Sequence, residues 1–217
     1  MCRFLMVKSK KNLSIAELIF EFAQKSKESR EWQGDGWGVS WLDSKNKWRV
    51  SKSLSPIWEN VKALAKVPES KIFLVHARSS SSDKDKDCLE YNQPFIREKI
   101  ALVFNGSIIG MRTSVKIPGK IGSQKIFHLI EKCIPNYGIE DAIRKTRIMI
   151  EHNSREIEAL NIGICDKEKF YLLCRHNGDE DYYGIRYFKD GKITIVCSEQ
   201  ISTFPFRTMK NGQLLII

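Results

Sequence analysis

Apolar residues near the start of the chain follow first a strand-like and then a helix-like spacing. The segment CRFLMV is short and apolar and predicts a strand at the N-terminus. Ser14 and Glu17, which follow it, have the spacing of a capping box that would begin a helix. Apolar residues then recur at the offsets of one helical face: Ile15, Leu18, Ile19 and Phe22. We therefore predict a strand followed by an amphipathic helix whose apolar face packs in the core.

The middle of the chain predicts a hairpin, two further strands and several helices. The glycine-rich segment WQGDGWGVSW runs through the polar turn DSKNK into WRVSKS, which is typical of a hairpin. A short helix is indicated over 57–65, and the strand KIFLVHA leads into a serine-rich surface loop at 79–87. The strand IALVF is expected to end at Asn105-Gly106, and two helical patterns follow, around 126–133 and over 139–152.

From position 159 onward, apolar or alternating runs separated by polar turns predict an antiparallel meander. The runs are ALNIGIC, FYLLCR, YYGIRYF and KITIVCS, with a hairpin signal at Asp190-Gly191. So many strands, with helices in two separate groups, fit two stacked sheets covered by helices better than a parallel doubly wound sheet. We predict an α+β fold in one domain that spans residues 1–217.

Composition narrows the class of function. The formal net charge is +10, but the lysines are scattered, which is typical of a solvated surface, so we expect no nucleic acid partner. No apolar run is long enough for a membrane span and the N-terminus does not resemble a signal peptide, so we expect a cytoplasmic protein. The six cysteines lack zinc-ligand spacing and phosphate-binding glycine motifs are absent, so we expect neither a metal nor a cofactor.

Cys2 is the residue with the most distinctive chemistry. Removal of Met1 would leave a thiol and a free α-amine on this one residue. The pKa of an α-amine is roughly 7.7 to 8.0, so near neutral pH the amine can accept the proton of the thiol, which is the strong nucleophile. A cysteine at this position is more often without a function, and the prediction depends on the rest of the sequence.

Four segments support it, because they resemble the class II glutamine amidotransferases, the cysteine branch of the N-terminal-nucleophile hydrolases. They are MCRFL at the start, GDGWGVSW at 34–41, VHARSSS at 75–81, and NQPF with ALVFNGSI between 92 and 108. The ending CSEQ with MKNGQLLI is similar to the close of stand-alone members. The resemblance implies a four-layer αββα fold and spans the whole chain.

The resemblance also implies a role for particular residues. Arg78 corresponds to the arginine that binds the α-carboxylate of the substrate, a role that suits the guanidinium fork. Asn105 and Gly106 correspond to the oxyanion hole, which a side-chain amide and a backbone N–H form. Gly36 and Trp37 correspond to the loop that lines the glutamine pocket. Read singly, these residues would be a surface cation, an Asn-Gly turn and a hinged core tryptophan.

Two departures from the family pattern affect substrate choice. Where the family usually places an aspartate that holds the substrate ammonium group, this chain has Gly122-Ser123-Gln124. Either another acid substitutes, with Asp35 as the candidate, or the substrate is not free glutamine. The histidine of the common His-Asn-Gly segment is replaced by Phe104, a change that we expect to affect only the surroundings of the oxyanion site.

We therefore expect an amidohydrolase that acts on the side-chain amide of glutamine or of a γ-glutamyl compound. The chain would act alone or with a synthase or amidase partner in trans. Two alternatives stay open: a catalytically silent member of the fold that binds a ligand or regulates a partner, which the missing aspartate favours, and a basic nucleic-acid-binding protein, which only the net charge favours.

Overall fold

The computed structural model describes residues 1–114, 116–201 and 204–217, which form two antiparallel β-sheets with helices outside them. The strands are β1 (Arg3–Leu13), β2 (Trp37–Leu42), β3 (Trp48–Ser53), β4 (Ser70–Ala77), β5 (Phe95–Arg97), β6 (Ile100–Ile109), β7 (Glu156–Cys165), β8 (Phe170–Leu173), β9 (Arg186–Lys189), β10 (Ile193–Cys197), β11 (Arg207–Thr208) and β12 (Leu214–Ile216). The helices are α1 (Ala16–Lys27), α2 (Val61–Leu64), α3 (Gly122–Asn153) and α4 (Glu180–Tyr183).

The larger sheet has seven strands in the order β11-β9-β10-β1-β4-β2-β3, and the smaller has five in the order β12-β8-β7-β6-β5. The N-terminal strand β1 is central in the larger sheet, where it pairs antiparallel with β10 on one side and β4 on the other. The start of the chain is therefore held from both sides.

Three apolar clusters show how the layers stack. Leu5 and Val7 pack on the outer face of the larger sheet, beneath α1. Phe4 and Met6, which alternate with them, pack between the two sheets. The outer face of the smaller sheet packs against α3. This is the four-layer αββα arrangement that the family resemblance implied.

The long helix α3 contains the two helical patterns that the sequence predicts. Its two segments meet at Gly138, whose backbone lies in the left-handed region at a φ of 73°. Among the described residues, no helix has the length and apolarity that crossing a membrane would require.

Three local predictions were wrong. The capping box does not form, since Ile15 is the N-cap of α1 and no side chain caps the helix. Strand β6 does not end at Asn105-Gly106 but continues to Ile109, because β7 pairs with it along this stretch. The C-terminal runs do not form one meander, since β7 and β8 pair in the smaller sheet and β9 and β10 in the larger.

Candidate active site

A cleft of about 630 Å³ lies where the N-terminus, the end of β4, the middle of β6 and the start of α3 come together. Residues from all four regions line it, among them Cys2, Arg78, Gly106 and Ser123. The register of the larger sheet explains part of this arrangement. Arg3 at the start of β1 pairs with Ala77 at the end of β4. Cys2 and Arg78, the next residues outward, therefore lie at the same end of these two neighbouring strands. The cleft therefore brings together three of the residues selected from the sequence.

The thiol of Cys2 lies beside the backbone of Ser79. Its Sγ atom is 3.4 Å from the Ser79 N–H, which donates to it, and 3.4 Å from the Ser79 carbonyl, which accepts from it. Burial raises the pKa of this thiol, while the Ser79 N–H, the terminal ammonium and the Arg78 charge act in the opposite direction. With Met1 in place the thiol is thus held mainly in its neutral form.

Met1 occupies a site built from Glu31 and Gln33. Its ammonium forms an ion pair with the Glu31 carboxylate, and its carbonyl accepts a hydrogen bond from the Gln33 side chain. Burial acts to raise the pKa of Glu31, but the hydrogen bond from the terminal ammonium, together with the charges of that ammonium and of Arg3, brings it below its usual value. The N-terminal residue is therefore enclosed, with 8% of its surface exposed.

Arg78 is a buried cation that neutral groups surround. Its guanidinium donates to the side-chain oxygen of Asn92 at 3.1 Å and to the backbone carbonyls of Asp85, Lys86 and Cys88 at 2.5 to 3.4 Å. No carboxylate among the described residues forms a salt bridge with it. The contacts fix the guanidinium at the wall of the cleft and leave its charge uncompensated.

Asn105 and Gly106 lie in the middle of β6, opposite Asn161 and Leu160. Gly106 lines the cleft, whereas Asn105 is fully buried, and within the described structure neither side-chain atom of its amide has a hydrogen-bond partner. By the alternation of the strand, Asn105 shares the face of Ala101 and Val103, which packs between the sheets. An unpaired buried amide costs about 1–3 kcal/mol, so this one calls for a functional explanation.

The structure does not bring Asp35, Gly36 and Trp37 to the lining of the cleft. The Asp35 carboxylate accepts from the Trp32 indole at 3.0 Å and from the Ser80 backbone N–H at 2.7 Å, so it holds the segment after Arg78 in place. Trp37 packs in the cluster beneath α1, on the outer face of the larger sheet. These contacts show that residues 35–37 support the structure beside the cleft. Their roles in substrate binding stay predictions.

The departures from the family pattern do lie in the cleft. Gly122 and Ser123 begin α3 at its wall, so the position without an acid faces the site. Phe104 also lines the cleft, which corrects the expectation that its replacement of histidine affects only the surroundings. The acidic residues that line the cleft are Glu31, Asp85 and Glu158. The sequence interpretation missed all three.

Asn92 and Gln93 of the NQPF segment form hydrogen bonds that hold neighbouring parts of the site in place. Asn92 is fully buried and connects Arg78 with the Ser53 carbonyl, to which its amide donates at 2.7 Å. The Gln93 side chain accepts from the Phe104 N–H, next to Asn105. The motif had signalled this segment, but only the folded chain shows which groups it supports.

No family model and no curated protein matches this chain. Solved structures match it in fold. A glutamine aminotransferase class-II domain protein from Silicibacter pomeroyi aligns with a TM-score of 0.64 and 16% identity, over 100% of this chain and 94% of that one. A Pseudomonas aeruginosa protein described as a predicted glutamine amidotransferase aligns with a TM-score of 0.61 and 12% identity, over 99% and 96%.

A larger enzyme shares the fold over part of its length. Glutamine phosphoribosylpyrophosphate amidotransferase from B. subtilis, in complex with ADP and GMP, aligns with a TM-score of 0.73 and 16% identity. The alignment covers 100% of this chain and 47% of the B. subtilis enzyme, so this chain spans about half of its length. The chain therefore has the fold of class II glutamine amidotransferase domains.

Proposed function

We propose that this protein is a cysteine-dependent amidohydrolase that cleaves the side-chain amide of glutamine or of a γ-glutamyl compound. The observation that carries the proposal is the meeting of Cys2, Arg78 and Gly106 in one cleft. The fold, which known glutamine amidotransferases share, supports the same conclusion. Removal of Met1 is part of the proposal, since it frees the α-amine.

The reaction proceeds by acyl transfer to Cys2. The α-amine takes the thiol proton, and the sulfur attacks the amide carbon to form a tetrahedral intermediate. The amine returns the proton to the leaving nitrogen, the carbon–nitrogen bond breaks, and ammonia or an amine departs from a thioester. Water, activated by the same amine, then hydrolyses the thioester and restores the thiol.

The oxyanion of each intermediate is held by Asn105 and the backbone of Gly106. The unpaired amide of Asn105 supports this role, because a donor kept without a partner is free to bind a charge that develops during the reaction. Loss of one such donor typically costs about 2.7–4 kcal/mol of transition-state stabilisation.

Arg78 recognises the substrate α-carboxylate. Arg78 is 4% exposed and its guanidinium faces carbonyl oxygens and neutral side chains, so an entering carboxylate meets an uncompensated positive charge. Because charge-assisted pairs of this kind are strong, Arg78 selects compounds that keep a free α-carboxylate.

Substrate choice at the ammonium end follows from the missing aspartate. Gly122 and Ser123 give no charge there, so we expect a γ-glutamyl compound or a modified amide to be preferred over free glutamine. Asp35 remains a candidate for the substituting acid, although its carboxylate already accepts two hydrogen bonds. Glu31 and Glu158 line the cleft and are the stronger candidates. The ammonia released would pass to water or to a synthase or amidase partner.

The test combines mass and turnover on the same preparation. The intact mass should show the loss of one methionine, and the Met1-free chain should release ammonia or an amine from at least one of three substrates: glutamine, N-acetylglutamine and a γ-glutamyl amide. Absence of turnover from all three on Met1-free protein would favour a catalytically silent protein. A tenfold preference for free glutamine would refute the argument from the missing aspartate.

A further inference from the structure

We propose that Gln33 positions the α-amine of Cys2 in the Met1-free chain, by accepting a hydrogen bond from this amine with its side-chain oxygen. The inference rests on the proposed function, because it concerns the base of that reaction. It assigns to Gln33 a role that neither the motifs nor the fold comparison indicates.

The side chain of Gln33 is fully buried and only half satisfied. Its Nε2 atom donates to the carbonyl oxygen of Met1 and also to that of Glu31, and the distance from Nε2 to the Glu31 oxygen is 3.1 Å. Its Oε1 atom has no partner in the described part of the chain. A buried amide oxygen without a donor is rare in folded proteins, which indicates that this oxygen meets a donor in the active form.

The peptide bond between Met1 and Cys2 identifies that donor. The Met1 carbonyl and the Cys2 nitrogen belong to the same planar peptide group, so a side chain that contacts the carbonyl lies beside the nitrogen. Cleavage of this bond removes the carbonyl to which Gln33 donates and converts the Cys2 nitrogen into an amine with N–H donors. A half turn about the last bond of Gln33 then places its Oε1 atom beside this amine, which that broad torsion allows, and gives up the hydrogen bond from Nε2 to the Glu31 carbonyl.

This hydrogen bond orients the lone pair of the amine. One N–H bond directed at Gln33 restricts rotation of the amine, so the lone pair can be held toward the Cys2 thiol. The charged or titratable side chains that act on the Cys2 thiol or on the neighbouring Glu31 carboxylate are Arg3, Arg78 and Tyr182. Gln33 is neutral and therefore orients the amine without fixing it in the protonated form.

The experiment measures the amine directly in the full-length Met1-free chain. The α-carbon of Cys2, labelled with ¹³C, is followed by NMR over pH, and kcat and KM are measured over the same range. In Gln33→Glu the new carboxylate should raise the pKa of the amine by about one unit and shift the acid limb of the kcat/KM profile by the same amount. In Gln33→Leu, kcat should fall at least tenfold with little change in KM.

Gln24→Glu is the matched control, because it makes the same charge change on α1, outside the cleft. In this variant the pKa of the Cys2 amine, kcat and KM should all equal those of the unaltered chain. An unchanged pKa of the amine in Gln33→Glu would overturn the placement of Gln33, whatever the turnover. A shifted pKa in a chain without turnover would instead support the placement and refute the proposed function.

A second measurement needs no variant and so does not depend on how the altered chains fold. The side-chain ¹⁵N resonance of Gln33 should follow the titration of the Cys2 amine in the Met1-free chain and should not do so in a chain that keeps Met1. A Gln33 chemical shift that stays constant while the amine titrates would contradict the proposal.

Discussion

At the scale of single residues, the proposed chemistry depends on the Cys2 thiol, the nucleophile. We predict that Cys2→Ala abolishes hydrolysis without changing the fold, since the hydrogen bonds of the thiol to other described residues are both with the Ser79 backbone. Cys2→Ser should keep a small residual rate, because an alcohol is a poorer nucleophile at neutral pH. Product release and circular dichroism measure the two effects. Cys133→Ala, on α3 and away from the cleft, is the control, and hydrolysis by Cys2→Ala would refute the mechanism.

Arg78→Lys tests the recognition of the carboxylate. Lysine keeps the charge but not the planar fork, so we expect kcat/KM to fall by about thirtyfold, which corresponds to a loss of about 2 kcal/mol. The comparison is between glutamine and its α-amide, which lacks the carboxylate. The unaltered protein should prefer glutamine, and the variant should lose most of this preference. Arg207→Lys, on the exposed strand β11, should keep it.

The residues that the sequence could indicate are those whose chemistry is unusual or whose motif is distinctive. Cys2 and Arg78 are of this kind, and both lie in the cleft. Glu31 and Gln33 could not be found in this way, because their roles arise from contacts with Met1 that form only in the folded chain. The sequence could not show that Trp37 packs beneath α1, because a glycine-rich loop does not reveal which face of the sheet its tryptophan occupies.

At the scale of elements, the approach of the 92–93 segment to β2 depends on Gly36. This residue has a φ of 114°, and a Cβ atom there would lie 2.3 Å from the Asn92 side chain and 2.6 Å from the Ser53 carbonyl. We predict that Gly36→Ala lowers stability by about 2–3 kcal/mol, or about 5–10 °C in Tm, because strain and steric conflict add. Thermal unfolding measures it.

Gly191→Ala is the control for this substitution. No atom lies within 4 Å of a Cβ built at Gly191, and this glycine has no positive φ. Its Tm should stay close to that of the unaltered chain. An equal fall in Tm for the two substitutions would show that the contacts around Gly36 do not determine how much this glycine contributes to stability.

Most elements could be predicted because their local signals are clear, such as the regular apolar spacing of α1 and the polar turn of the β2–β3 hairpin. The end of β6 could not, since Asn-Gly is a strong local turn signal. Pairing with β7 overrides that signal, and the missing side chain of Gly106 lets the Ala159 carbonyl approach within 2.1 Å of where a Cβ would be. Local preference and distant pairing conflict there, and distant pairing determines the structure.

At the scale of the whole molecule, stability should depend on pH through His76, which is fully buried on β4. Burial, together with the charges of Arg78 and Lys52, lowers its pKa to about 3. Below pH about 6.5 the unfolded chain binds a proton at His76 that the folded chain does not. We therefore expect this residue to lower the free energy of unfolding by about 1.4 kcal/mol per pH unit as the pH falls from 6.5 toward 3.

Urea unfolding at pH 7, 6, 5 and 4 measures this slope. His76→Leu should make the slope shallower, because leucine does not titrate, whereas His152→Gln at the exposed end of α3 should leave it nearly unchanged. If His76→Leu and the unaltered chain lose stability in parallel, other groups determine the acid sensitivity.

The central position of β1 in its sheet also has a consequence in time. One neighbour, β4, follows after about sixty residues. The other, β10, pairs Cys197 with Leu5 and follows only after about 190 residues. At about 5–20 residues per second, a ribosome takes roughly 10–40 s to cover that interval. Until then the larger sheet lacks a strand, and we expect Met1 to be more accessible to an aminopeptidase than in the folded chain. Removal of Met1, which exposes the Cys2 amine, thus competes with completion of the larger sheet. Slower translation should therefore raise the fraction of chains that have lost Met1.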